Sequence, residues 1–304
     1  MKLFVAPLQG YTDAPWRHWH SRIFGGADCY FTPFLRIEKG EVCRRTMRDI
    51  SSALNDGLPV VPQIIFRDAA EFELLRNTLV EAGAVRIDLN MGCPFPPQML
   101  KGRGSGILAH PDRLAEVAGL VRGDTEVVYS VKMRLGADSP EQWREVAGLL
   151  DSMPLKHVAV HPRYGRQQYR GELYDSEFVQ LASTLHHQLV YNGEISCPDD
   201  IHMLQMRYPG LYGVMAGRGL LARPSLFAEY AAGCEWTVER RRESHIKLHD
   251  ALLEHYSGLL CGDHQLLARM KTFWDYAPDF IDRRSLKRIQ KSVKLSDYRA
   301  LLEQ

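Results

Sequence analysis

Residues 85–108, VRIDLNMGCPFPPQMLKGRGSGIL, decide how the rest of this chain is read. The first six alternate, with Val85, Ile87 and Leu89 on one side and Arg86, Asp88 and Asn90 on the other. That period of two marks a strand. The strand runs into Met91-Gly92-Cys93-Pro94, where Gly92 permits a sharp turn and Pro94 can extend neither a ladder nor a helix. Cys93 therefore belongs to an ordered loop at the carboxyl end of a strand. A free cysteine is usually a small buried hydrophobe. Here the polar Asp88 and Asn90 before it, and Gly102, Gly104 and Gly106 after it, suit a site better than a core.

Outward from this stretch the pattern repeats. Strands are expected over 2–9, 28–33, 60–66, 127–133, 157–161, 189–191 and 212–215. Helices are expected over 13–24 (with Asp13 as N-cap), 68–82, 111–121, 140–150, 176–186, 198–208 and 224–232. Residues 34–59 read as polar and irregular. Eight strand–helix units in about 230 residues imply parallel strands joined by crossover helices, and fit a (β/α)8 barrel, an α/β TIM barrel, better than a doubly wound sheet.

In such a barrel functional residues gather at the carboxyl ends of the strands. Those ends carry Pro7-Leu8-Gln9, Gln63, Asn90 with Cys93, Lys132 with Arg134, His161 with Arg163, Asn192-Gly193-Glu194 and Gly217-Arg218-Gly219. Gln63, Lys132 and His161 lie in otherwise apolar strands, where a polar side chain needs a partner. The last two loops occupy the usual phosphate position of the fold, and bare amides beside a guanidinium suit a phosphate monoester. Lys132 offers a cation at the middle of the mouth, suited to an electron-rich ring or a developing anion.

Composition narrows the class. With 304 residues, 45% hydrophobic and 25% charged, the chain reads as globular. No apolar run approaches the ~18 residues of a membrane span, and the amino terminus lacks the apolar stretch of a signal peptide. The six cysteines (Cys29, Cys43, Cys93, Cys197, Cys234, Cys261) form no C-x-x-C pair, so neither a metal site nor thioredoxin-like chemistry is expected. They fit a reducing cytoplasm. Net charge is +1, unevenly placed: residues 237–304 hold 13 Lys/Arg against 10 Asp/Glu, and residues 1–236 hold 25 against 27. The tail is thus the net-basic part, and three or four helices are expected in it, over 238–260, 264–276 and from 285 to the end. In the last, Leu286, Ile289 and Val293 form an apolar stripe, and Arg283, Arg284, Lys287, Arg288, Lys291 and Lys294 lie off it with no acid among them. Such a cluster points to nucleic-acid phosphates.

Taken in order, these residues resemble the tRNA-dihydrouridine synthases, flavoenzymes that reduce uridine in tRNA. The resemblance is carried by Ala6-Pro7 with Asp13 and Arg17, by Gln63, by Asp88-x-Asn90-x-Gly92-Cys93-Pro94, and by Val131-Lys132-Met133-Arg134. It continues with His161-x-Arg163, Gln167 and Tyr169, with Asn192-Gly193-Glu194-Ile195, and with Gly217-Arg218-Gly219 and Pro224. The tail adds Arg269-x-Lys271 and Trp274, similar to a segment of the family's helical RNA-binding domain.

The resemblance implies an FMN-binding barrel over 1–236 and a helical tRNA-binding domain over 237–304. By it, Pro7, Leu8, Gln63, Lys132, His161, Asn192, Gly193, Glu194, Gly217 and Arg218 bind FMN, and Cys93 is the general acid. Asn90, Arg134 and Arg163 face substrate, joined by Arg269, Lys271, Lys287 and Lys291 from the tail. NADPH is the expected reductant, tRNA the partner, and a cytoplasmic monomer without metal or membrane the expected state. The chain departs from the family at Leu8 (usually Met), at Pro162 (usually Gly), and at Phe95-Pro96-Pro97-Gln98, where a basic residue is usual. Lys101 and Arg103 are the nearest cations that could supply that charge.

The chemistry also fits without the name. Reducing the uracil 5,6 double bond needs hydride at one carbon and a proton at the other, on opposite faces. An ordinary cysteine, with a pKa of about 8.5, is mostly thiol near neutrality and so able to donate. A barrel flavoenzyme acting on a free pyrimidine is the alternative, but it leaves the basic tail unused. A purely RNA-binding protein leaves Cys93 and the phosphate loops unused.

Overall fold

The computed structural model describes residues 1–302. Eight parallel strands form a ring: β1 Lys2–Val5, β2 Cys29–Phe31, β3 in two halves, Val60–Val61 and Gln63–Ile64, β4 Arg86–Met91, β5 Val128–Arg134, β6 Leu155–His161, β7 Leu189–Tyr191 and β8 Gly213–Ala216. Consecutive strands pair, and β1 pairs with β8. The ring closes through a break at Pro62. Val60–Val61 pairs with β2, and Gln63–Ile64 pairs with β4. Proline has no N–H to contribute to a ladder, but its carbonyl accepts the Asp88 N–H at 2.9 Å. The single strand expected over 60–66 is therefore two short pieces bonded to opposite neighbours.

The alternation in β4 sorts its side chains as expected. Ile87, Leu89 and Met91 are fully buried in the apolar layer shared with the surrounding helices. Asp88 and Asn90 point to the barrel axis, in register with Ser130 and Lys132 of β5. Below the mouth the interior is apolar, filled by Phe4, Cys29, Phe31, Val61, Val190 and Met215 among others. A barrel filled this way is a packed core, so a ligand has access only from its ends.

The stretch expected to be irregular, 34–59, contains a small hairpin, Ile37–Glu38 with Glu41–Val42, and a helix, Arg44–Ile50. The helix expected over 224–232 is Leu226–Ala232, preceded by a short Arg218–Ala222 turn of helix. Asp13 stands at the N-cap position of Ala14–Ile23 but makes no capping bond. Asp49 accepts the Ala14 N–H instead, at 2.6 Å.

Gly233, at φ +65°, ends the last barrel helix in the left-handed conformation that glycine adopts without strain. Thr237 then caps Val238–Ser257 by accepting the Arg240 N–H. The tail continues with Asp263–Lys271, Arg283–Lys291 and Leu295–Leu302. Val238–Ser257 packs on Ala14–Ile23, and Leu248, Leu252 and Trp274 join one apolar cluster with the barrel's Trp16.

The stripe expected over 286–293 is shorter than its spacing suggested. Ile289 is buried, but Val293 is 79% exposed. Ser292 leaves helical geometry at ψ 139°, so Val293 falls out of phase with the face that precedes it. Residues 303 and 304, expected to end that helix, lie outside the described residues.

Candidate active site

The mouth is built around a chain of polar side chains one layer below its surface. Ser130 Oγ donates to Asp88 Oδ1 at 2.5 Å, and Gln63 Nε2 donates to Asp88 Oδ2 at 2.7 Å. Asn90 Nδ2 donates to Gln63 Oε1 at 2.7 Å. The Asn90 side-chain carbonyl is left to accept the backbone N–H groups of Gly92 and Cys93, at 3.1 and 2.9 Å. Every member is satisfied, the condition under which a buried polar network fixes a unique geometry. What it fixes is the turn carrying Cys93.

The far side of that turn is held as firmly. The Cys93 carbonyl accepts from the Ser105 N–H at 3.1 Å and the Ser105 hydroxyl at 3.0 Å. Gly104 sits at φ +60° so close beneath that an added Cβ would lie 2.7 Å from Cys93 Cβ. Any larger residue there would displace the thiol.

Cys93 opens onto a cleft lined by Pro7, Leu8, Phe34, Asn90, Lys132, Arg134, His161, Tyr169, Asn192, Gly193, Gly217 and Arg218. Of the residues expected at the site, these are brought together. Gln63 is fully buried below and supports Asn90 without lining the cleft. Glu194 stands half-exposed at the rim, accepting from Arg163 at 2.7 Å and lying 3.5 Å from Arg218. Arg163 is buried behind His161, donating to the Gly171 carbonyl at 2.8 Å. Phe34 carried no sequence signal, coming from the stretch expected to be irregular. Tyr169 is held between two cations, with Arg218 4.3 Å and Arg134 5.2 Å from its ring centre.

The cleft is electropositive. Burial, and then Arg134, Lys132, Arg163 and Arg218 around it, hold the His161 imidazole well below its ordinary value, hence neutral. Burial, then the neighbouring Arg134, brings Lys132 down to about 8, against the pull of Asp88 and Cys93. Burial raises Asp88 to about 6. Burial also pushes the Cys93 thiol above its ordinary value, outweighing the cations Arg134, Lys132 and Arg36 that favour thiolate. The thiol therefore keeps its proton at neutral pH.

A flavin phosphate fits these residues. The loops after β7 and β8 touch: an added Cβ at Gly219 would lie 1.9 Å from the Ile195 carbonyl oxygen, so only glycine lets them close. Arg218 stands at that junction, at the N-terminal end of its short helix and on the wall of the cleft. Lys132 is a second cation lining the same cleft, as are the glycines at 193 and 217. Among the described residues no group of three or more His, Cys, Asp and Glu side chains is placed to hold a metal ion, and no helix is long and apolar enough to cross a membrane.

The tail residues expected at the substrate divide into two sets. Lys287 and Lys291 are exposed and line an open groove with Arg284 and Arg288, bordered by Asp297. Arg269 and Lys271 are engaged within the protein. Arg269 bonds Asp13, Tyr256 and the Gly10 carbonyl, and Lys271 donates to the Ser292 carbonyl. Near the Cys93 loop, Arg103 is buried in an ion pair with Glu71, so it cannot supply the missing basic residue, whereas Lys101 is exposed.

The family model described as Dihydrouridine synthase (Dus) matches residues 4–297. A probable tRNA-dihydrouridine synthase of Rhodobacter capsulatus is 26% identical over 260 residues, covering 85% of this chain and 79% of that protein. The tRNA-dihydrouridine synthase B of Vibrio vulnificus is 30% identical over 237 residues, covering 75% and 70%. A tRNA-dihydrouridine(16) synthase of Pseudomonas putida is 28% identical over 240 residues, covering 76% and 74%. Among solved structures, morphinone reductase superposes with a TM-score of 0.52 at 12% identity, covering 78% of this chain and 87% of that one. The old yellow enzyme from Trypanosoma cruzi gives 0.53 at 9% identity, covering 78% and 89%. At those identities the structural likeness is one of fold.

Proposed function

The chain belongs to the dihydrouridine synthase family, and from that premise we propose that it reduces the 5,6 double bond of uridine in tRNA, with FMN bound in the barrel mouth, NADPH as electron donor and Cys93 as proton donor. The observation that carries this reading is the Asn90–Cys93 turn, which holds a protonated thiol over a cleft lined by Lys132 and Arg218.

A reduced flavin held in that cleft would supply hydride chemistry toward one carbon of the uracil double bond. Arg218, with the glycine loops at 193 and 217, would hold its phosphate, and the Lys132 cation would face its ring. Pro7, Leu8, His161 and Asn192 would line its other surfaces. Asn90, Arg134 and Tyr169 would contact the base near the thiol. Cys93 would deliver the proton that the other carbon needs. The closed environment that raises its pKa keeps that proton available at neutral pH. General acid catalysis of this kind is worth about 10²–10⁴ in rate.

The barrel, residues 1–236, would carry the chemistry, and the helical tail, 237–304, would dock RNA through Lys287 and Lys291. A cytoplasmic, monomeric enzyme is consistent with a tRNA substrate. The rival reading, a barrel oxidoreductase for a free pyrimidine, gives the basic groove of the tail no task. Purified protein incubated with NADPH and unmodified tRNA should form dihydrouridine, and free uridine should be turned over far more slowly. Equal turnover of free uridine would favour the rival.

A further inference from the structure

The loop from Pro7 to Asp13 connects β1 to its helix and presents Leu8 to the cleft, where an added Cβ at Gly217 would touch it at 3.5 Å. Bonds within the barrel brace its inner side. The Leu8 N–H donates to Thr12 Oγ1 at 2.9 Å, and the buried Arg17 donates to the Thr12 carbonyl at 2.6 Å. The outer side is held by the tail. Arg269 donates through Nη1 to the Gly10 carbonyl and through Nη2 to Asp13 Oδ2, both at 2.5 Å. Its guanidinium lies over the Tyr256 ring, 4.6 Å from the centre, and the Tyr256 hydroxyl donates to the same Asp13 carboxylate at 2.7 Å. Farther along, the Tyr11 hydroxyl donates to Asp275 at 2.9 Å, and the Tyr11 ring packs edge-on against Tyr276 at 5.2 Å.

We propose that Arg269 is a positioning residue for the cofactor: it clamps the β1 loop so that Leu8 rests against the Gly217–Arg218 loop, and so makes flavin affinity depend on the tail. A planar guanidinium serves two acceptors at fixed angles while stacking on an aromatic ring, which an ammonium cannot do. With Asp13 and the Gly10 carbonyl both engaged, Arg269 is committed to the protein rather than to RNA phosphate. The tail therefore acts on the chemistry through the barrel as well as by binding substrate, and this extends the flavin reading on which it rests.

The test uses the full-length protein stripped of flavin. FMN is titrated by fluorescence into wild type, Arg269→Gln and Arg269→Lys, and hydrogen exchange is followed at residues 8–13. Arg269→Gln should weaken FMN binding by at least about fivefold, a typical coupling between sites, and speed exchange in the loop. Arg269→Lys should fall between. The salt dependence of tRNA binding, measured by anisotropy, should stay as in wild type. Should Arg269→Gln fail to fold, Tyr11→Phe removes the hydroxyl bond to Asp275 of the tail and should shift FMN affinity the same way by less. Unchanged FMN affinity in the variants overturns the clamp and leaves the flavin reading intact. So does a salt slope lowered by about one unit, the mark of a residue that had neutralised an RNA phosphate. Wild-type protein that takes up no FMN overturns the flavin reading itself, and the clamp with it.

Discussion

The side-chain carbonyl of Asn90 accepts the backbone N–H of Cys93 at 2.9 Å, three residues on. One amide thereby ends the strand, shapes the turn and aims the thiol, while its own N–H is spent on Gln63.

Asn90→Ala should therefore do more than remove a group lining the cleft. It leaves the Gln63 carbonyl and two backbone N–H groups without their partners, at a cost of about 1–3 kcal/mol for such buried groups. Denaturant unfolding should show that loss. Dihydrouridine formation should fall by more than bound flavin does, because the thiol is no longer held.

Arg218→Ala removes a cation from the junction of the Gly193 and Gly217 loops. A charge-assisted hydrogen bond is worth about 1.5–3 kcal/mol, so FMN should bind about 10–100-fold more weakly. Equilibrium titration of flavin-free protein measures this, and an unchanged Kd would place the phosphate elsewhere.

The acid side of the stability curve tests the buried histidines. His245 in the tail is fully enclosed by Phe273, Trp274 and Phe280, and burial lowers it to about 3. An unfolded chain binds that proton near pH 6.5 and the folded chain does not until about pH 3. Stability from this group is thus complete above about pH 6.5 and drains away as the pH falls, by up to about 1.4 kcal/mol per unit. His245→Leu should flatten this part of the curve between about pH 6.5 and pH 4. A wild-type slope in the variant would exclude the assignment.

The polar residues at the strand ends, and the ring of eight strands, were legible because period-two alternation and apolar runs bounded by glycine are local signals. What the sequence hid was long-range. Pro62 marks a weak point in its strand run, but nothing near it announces that the two halves pair with opposite neighbours. Nothing near Arg269 announces that its partners are Gly10 and Asp13, at the opposite end of the chain. By sequence Arg269 is one more tail cation. Gln63 carries the right polarity at the right strand end, but its place below the cleft is set by Asp88 and Asn90 across the sheet. Arg103 is a free cation in the sequence and is claimed by Glu71 in the fold.

The exposed tail cations make a separate prediction. Replacing Lys287 and Lys291 together with Ala should lower the log–log salt slope of tRNA binding by about one unit for each phosphate no longer neutralised. The apparent KM for tRNA should rise while flavin content and NADPH oxidation hold. Anisotropy titrations at two salt concentrations decide it, and an unchanged slope would make this groove a solvated surface.

Delivery of the proton by Cys93 is the step on which the proposed reaction depends. Cys93→Ala, loaded with flavin and reduced by NADPH before mixing, is followed through a single turnover on unmodified tRNA. Normal flavin content and normal reduction by NADPH are expected, with dihydrouridine formation slowed by about 10²–10⁴. Formation at the wild-type rate would contradict the assignment of Cys93 as the acid.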